Sequence, residues 1–249
     1  MDTEPAQRPD DPAAVDESDL PHFEETILAT TRYLAAIEDL TDDDVRAPSV
    51  LPGWTRAHVI THISRNADAL ARVLRSAQAG TEATMYDSAG QRDADVEAGA
   101  GRSAAELRED ASASWGRLLQ AEHEIHDSHL DGTFARVSGA PPVPVRKVGL
   151  MRRVEVEVHH ADLGLGYTAA DWPEDFTRRL IAHRQKELAD GPSMVLSSTD
   201  VDGLWKLGPG QGPEVKGRLA DLAWWLIGRG DGSGLESSSG ELPRLERWI

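Results

Sequence analysis

The sequence predicts an α+β fold: an up-down bundle of four long helices over residues 20–167, then a small α+β domain over residues 168–249. Three observations predict it. Four long stretches before residue 168 repeat apolar residues at helical spacing. After residue 168, short β-branched and aromatic runs alternate with Gly and Pro turns. The composition, 39% hydrophobic and 28% charged over 249 residues, is that of a globular chain able to bury a core.

The elements follow in order. Residues 1–19, "MDTEPAQRPDDPAAVDESD", have neither the basic n-region nor the apolar h-region of a signal peptide, and read as a disordered acidic tail. A helix is expected from Leu20 to Leu40, with Phe23, Ile27, Leu34 and Ile37 near one face. "TDDDVRAPSVLPGW" reads as a loop with two prolines. A second helix should run from Thr55 to Ala77, followed by the loop "GTEATMYDSAG" and a short helix. A long helix opens at Ser103, where Ser103 and Glu106 have the spacing of a capping box. "DGTFARVSGAPPVPV" reads as extended or looped, and a fourth long helix covers Arg146 to Leu163. The C-terminal part offers a helix from Glu174 to Ala189, strands at "SMVLSSTD", "GLWKLGP" and "PEVKG", and a helix "RLADLAWWLIG" stopped by Gly228. "GPGQG" lacks the lysine and the flanks of a phosphate loop and reads as a turn between strands.

The formal charge of −17 argues against nucleic acid or an anionic membrane as partner, since both need a basic face. No apolar run approaches twenty residues, so no membrane span is expected, and the chain reads as cytoplasmic. With no cysteine, the chain has no disulfide, no thiolate metal ligand and no thiol nucleophile of its own. Any thiol chemistry would need an external thiol.

The stretch "MRRVEVEVHHADLG" carries the chemistry. On a helix, Met151, Val154, Val158 and Ala161 form an apolar stripe, with Glu155, His159 and Asp162 on its flank and Arg153 and His160 on the other side. Glu155 and His159 are stacked one turn apart. On the second helix Val59, Ile63, Ala67, Leu70 and Leu74 form the stripe; His62 flanks it with Asn66, and His58 lies further out. If the two helices are neighbours, His62, Glu155 and His159 form an open three-ligand site of the catalytic zinc type. The plain alternative is a salt-bridged Glu–His pair, and a helix phase slipped by one residue would put His160 in place of His159. "HEIHDSH", with His123, His126 and His129 among carboxylates, reads as a solvated helix end.

"LPGWTRAHVITHISRNADAL" resembles the second helix of the DinB-like metal-dependent bundle proteins, in particular the mycothiol-dependent maleylpyruvate isomerases. "MYDSAGQRDADVEAGA", "MRRVEVEVHHADLG" and "GRGDGSGLESSSGELPRLERW" resemble the same family, so the likeness runs from about Leu20 to the C-terminus. It implies a DinB-like four-helix bundle, a divalent metal, zinc, on His62, Glu155 and His159, mycothiol as a low-molecular-weight thiol cofactor, and a small-molecule enedioate substrate. It further implies cis-trans isomerisation of maleylpyruvate to fumarylpyruvate, a step of aromatic catabolism through gentisate. The family's C-terminal arginine falls on Arg229, as a catalytic residue pairing with a substrate carboxylate; Arg92 is a second candidate for holding the substrate or the thiol. Two alternatives stay open: a mycothiol S-transferase acting on another electrophile, and a non-catalytic metal-binding bundle.

Overall fold

The computed structural model describes residues 23–245, so the expected tail at 1–19 lies outside the described residues. Helix α1, Phe23–Ile37, is followed by a single turn, α2, Asp42–Arg46. The sequence reading placed α2 in a loop. A Thr41–Asp44 capping box starts it, with acidic residues in its first turn and Arg46 at its end. Then come α3, Arg56–Gln78; α4, Ala89–Ala100; and α5, Ala104–Glu124, which opens on the predicted Ser103–Glu106 capping box. A two-residue ribbon, β1 (Thr133–Phe134) with β2 (Val143–Pro144), leads into α6, Val148–Asp162.

Helices α1, α3, α5 and α6 form the bundle, with α3 packed on both α5 and α6, and α1 on α6. The predicted stripe of α3, Val59, Ile63, Ala67, Leu70 and Leu74, is fully buried. Of the stripe expected on α1, Ile37 is buried and Leu34 packs on the core, but Ile27 is exposed, and the helix buries Thr26, Ala29, Thr30 and Tyr33 as well. Thr26, Ala29 and Thr30 are small where α1 packs on α6, and the Thr26 hydroxyl donates to the Gly149 carbonyl. Helix α4 leans on α3 in the same way: a Cβ on Gly99 would lie 2.2 Å from the Thr61 methyl.

The C-terminal part holds α7 (Glu174–Glu187), β3 (Met194–Ser198), β4 (Leu204–Leu207), β5 (Glu214–Gly217), α8 (Leu219–Leu226) and β6 (Glu236–Ser237). The sheet order is β4-β3-β5-β6: β3 pairs antiparallel with β4 and parallel with β5, and β6 closes the other edge. Met194, Leu196, Leu207 and Val215 point inward from it onto Phe176, Leu180, Leu222 and Leu226. The same core reaches Val158 and Ala161, so α6 is covered on every side. This buries Arg153 and His160, which point away from the stripe as expected but into packing: Arg153 forks onto Asp175, and His160 stacks on Tyr167 at 4.0 Å.

Gly208–Pro213 carries the chain from β4 across to β5 on the far side of β3. At Gly212 a Cβ would sit 1.7 Å from the Ser193 carbonyl oxygen, so the crossing needs glycine there. Gly212→Ala is expected to cost about 3 kcal/mol or more. Denaturant unfolding checks this; a midpoint unchanged from wild type would contradict the crossing.

Candidate metal centre

Two helices bring the three predicted donors together. His62 stands in the second turn of α3, Glu155 and His159 lie on α6, and the two helices pack side by side. His62 Nε2 is 2.8 Å from Glu155 Oε2, and His159 Nε2 is 3.4 Å from the same oxygen. One donor atom from each residue falls within 4.8 Å of the others, and the two imidazoles meet edge to face. The donor set, two neutral-capable nitrogens and a carboxylate, fits a divalent ion bonded at about 2.0–2.2 Å with a fourth position open.

Each ring is held by its other nitrogen. His159 Nδ1 donates to Asp162 Oδ2 at 2.8 Å, which leaves Nε2 aimed at the cluster. Asp162 is itself fully buried and takes a fork from Arg229, Nε to Oδ1 at 2.9 Å and Nη2 to Oδ2 at 3.0 Å. His62 Nδ1 lies 3.4 Å from Arg92 Nη2. A guanidinium only donates, so Nδ1 accepts here and Nε2 carries the proton toward Glu155. An ion held through Nε2 would move that proton to Nδ1, where it would face the Arg92 donor. Trp54 closes the site's edge against the His62 ring at 5.8 Å.

The neighbouring histidines have other work. His58 Nδ1 caps α3 by accepting from the Thr55 backbone N–H at 3.2 Å, and its Nε2 reaches Glu97 on α4. His160 takes no part in the cluster. His123, His126 and His129 sit at the end of α5 and the turn after it, where Gln78 accepts from the His126 backbone N–H. Among the described residues, His62, Glu155 and His159 form the one group of three or more arranged to hold an ion.

Electrostatics divide the two imidazoles. Burial pushes His62 down to about 4. Burial pushes His159 down as well, but its hydrogen bonds to Asp162 and Glu155 outweigh that and raise it to about 9. Burial would raise Glu155, but the bonds from His159 and His62 hold it well below the usual carboxylate range. Without an ion, the cluster is therefore an imidazolium–carboxylate pair beside a neutral imidazole. An ion must displace the His159 proton, so lower pH opposes binding. Affinity is expected to rise about tenfold per pH unit from pH 7 until it flattens near pH 9. Chelator competition at several pH values checks this, and a pH-independent affinity would contradict the protonation scheme.

A cavity of about 280 Å³ is walled by Arg65, Asp68, Arg72, Met85, Tyr86, Arg92 and Asp95, so its charges are mixed. Arg92 joins it to the centre, because the same guanidinium touches His62. Tyr86 is placed there by the pairing of its strand-like segment with residues 135–136. Arg229 stands on the other side of His159, behind Asp162. Its backbone is set by the end of α8: Gly228, at φ +72°, donates to the Trp225 carbonyl at 2.9 Å, and the Arg229 N–H donates to the Trp224 carbonyl at 3.0 Å. This is a Schellman cap, for which the helix-stopping glycine is the sequence signal.

The sequence reading gave Asp162 and Trp54 no role. The i,i+3 spacing of His159 and Asp162 on one flank was the available signal for the first. Trp54 lies in the "LPGW" turn, and nothing local points it at a histidine one and a half turns into the next helix.

A family model for the mycothiol maleylpyruvate isomerase N-terminal domain matches residues 28–164, and the model for that family's C-terminal domain matches residues 171–247. The chain is similar to a crystal structure of the mycothiol-dependent maleylpyruvate isomerase, with 30% identity and a TM-score of 0.84 over 91% of this chain and 95% of that one. A structure of a histidine-to-alanine mutant of the same enzyme matches with 29% identity, the same TM-score and the same coverage. No curated protein sequence matches significantly.

Proposed function

The chain belongs to the mycothiol maleylpyruvate isomerase family, and from that premise we propose that it converts maleylpyruvate to fumarylpyruvate with mycothiol as cofactor and zinc on His62, Glu155 and His159. The observation that carries this reading is the convergence of those three donors, with the Arg92 guanidinium 3.4 Å from His62. The absence of cysteine agrees with a nucleophile brought from outside.

The substrate is a cis enedioate, and rotation about its double bond is closed at ambient temperature. A thiol adds to the alkene, leaves a single bond that rotates, and is expelled again, so it acts as catalyst. A free thiol has a pKa of about 8.5, and coordination to the metal supplies it as thiolate at neutral pH. The chain's residues do the rest. His62, Glu155 and His159 would hold the ion. Glu155, the most accessible of the three, marks the side from which ligands enter. Arg92, whose Nη1 donates to Asp93 at 3.0 Å, would turn from that exposed partner to pair with a substrate carboxylate and with the negative charge that develops on the carbonyl after addition. Trp54 and the buried face of α3 keep water from the other side of His62. Arg229, expected from the resemblance to meet the substrate directly, spends Nε and Nη2 on Asp162.

The test is turnover of maleylpyruvate by the purified protein with and without mycothiol. Turnover that requires the thiol supports the proposal. A metal-loaded, thiol-binding protein that leaves maleylpyruvate unchanged would move the reading to transfer of mycothiol onto another electrophile.

A further inference from the structure

We propose that Asp162 and Arg229 are a positioning pair for the metal centre, through which the C-terminal part of the chain sets the ion affinity of a ligand in the helical bundle. The inference rests on the reading of His62, Glu155 and His159 as a metal site.

Asp162 is fully buried, and its two oxygens receive three donors: His159 Nδ1 at 2.8 Å, Arg229 Nε at 2.9 Å and Arg229 Nη2 at 3.0 Å. A fork of this kind fixes the plane of the carboxylate, and the third donor then has one direction left. That direction turns His159 so that Nε2 meets Glu155 and His62. The backbone of Asp162 is tied as well, since its carbonyl accepts from the Val50 N–H at 2.8 Å in the loop that carries Trp54. Arg229 is equally fixed, because its N–H is the last bond of the Schellman cap on α8 and its side chain is buried. The pair thus links three segments distant in sequence, residues 49–54, the end of α6 and the end of α8, behind one ligand. A guanidinium that only paired with substrate would not need its Nε edge sealed against a buried aspartate.

The experiment measures zinc affinity by chelator competition and the ligand-field spectrum after cobalt(II) loading. Wild type, Asp162→Asn, Arg229→Gln and Arg229→Lys are compared, with circular dichroism to show that each is folded. Asp162→Asn, an isosteric change, is expected to weaken zinc about 10–100-fold and to alter the cobalt spectrum. Arg229→Gln should weaken zinc about tenfold, and Arg229→Lys should recover part of that loss without restoring the wild-type spectrum, since lysine cannot form the fork. If Arg229→Gln does not fold, Arg229→Lys and Asp162→Asn decide. Affinities within about twofold of wild type, with unchanged spectra, would overturn the proposal; lost turnover alongside them would place Arg229 on the substrate instead. A wild-type protein that takes up no ion would overturn the metal reading itself, and this pairing with it.

Discussion

His62→Ala and His159→Ala are each expected to empty the metal centre, while His160→Ala leaves it loaded. Structural zinc in small peptides is bound with roughly 10–16 kcal/mol, so one of three protein ligands accounts for roughly 3 kcal/mol or more, at least a hundredfold in affinity. Truncation also costs geometry. Without His62, Glu155 loses a partner at 2.8 Å and Trp54 loses the ring it packs against. Without His159, Asp162 keeps only its fork from Arg229. His160 is the control because it lies next in sequence and is equally buried, yet stacks on Tyr167 on the far side of α6. Metal content after dialysis reads all three variants. Stoichiometric ion in either of the first two would contradict the ligand assignment, and loss in the third alone would mean that the helix is turned by one residue.

Arg92→Ala separates binding of the ion from handling of the substrate. A charge-assisted bond to a carboxylate is worth about 1.5–3 kcal/mol, so kcat/KM should fall roughly 10–150-fold. The ion should bind at least as tightly as in wild type, because the substitution removes a cation 3.4 Å from His62 Nδ1 and the conflict of two donors that ligation creates there. Steady-state kinetics and a zinc titration on the same preparation read both effects. Weakened metal binding with kcat/KM unchanged would place Arg92 in the support of the ligand and not at the substrate.

The cluster of His62, Glu155 and His159 was legible in the sequence because two periodicities coincide. Glu155 and His159 repeat at helical spacing beside one apolar stripe, His62 beside another, and packing the stripes together brings the three side chains to one point. The four bundle helices were legible for the same reason, and the capping box at Ser103 placed the start of one of them. Helix α2 was hidden by its length, since a single turn buries only Val45 and shows no period. The face of α1 was misread because hydrophobicity ranks Ile27 above Thr26, while close packing on α6 selects the smaller residue and satisfies its hydroxyl. The contact of Arg229 with Asp162 was hidden for a different reason. Its neighbours in sequence, Gly228 and Gly230, suggest an open loop, and its partner Asp162 lies 67 residues away. No local pattern reports a pairing of that kind. The strand β6, two residues long in a serine run, shows neither alternation nor β-branching.

On the proposed function, an external thiol activated at His62, Glu155 and His159 carries the isomerisation. The most direct test of this is the rate of maleylpyruvate isomerisation in the presence of mycothiol by protein stripped of metal, before and after one equivalent of zinc is returned. The account predicts a rate near background in the stripped protein and recovery when the ion is restored. A stripped protein that isomerises maleylpyruvate at the full thiol-dependent rate would contradict it.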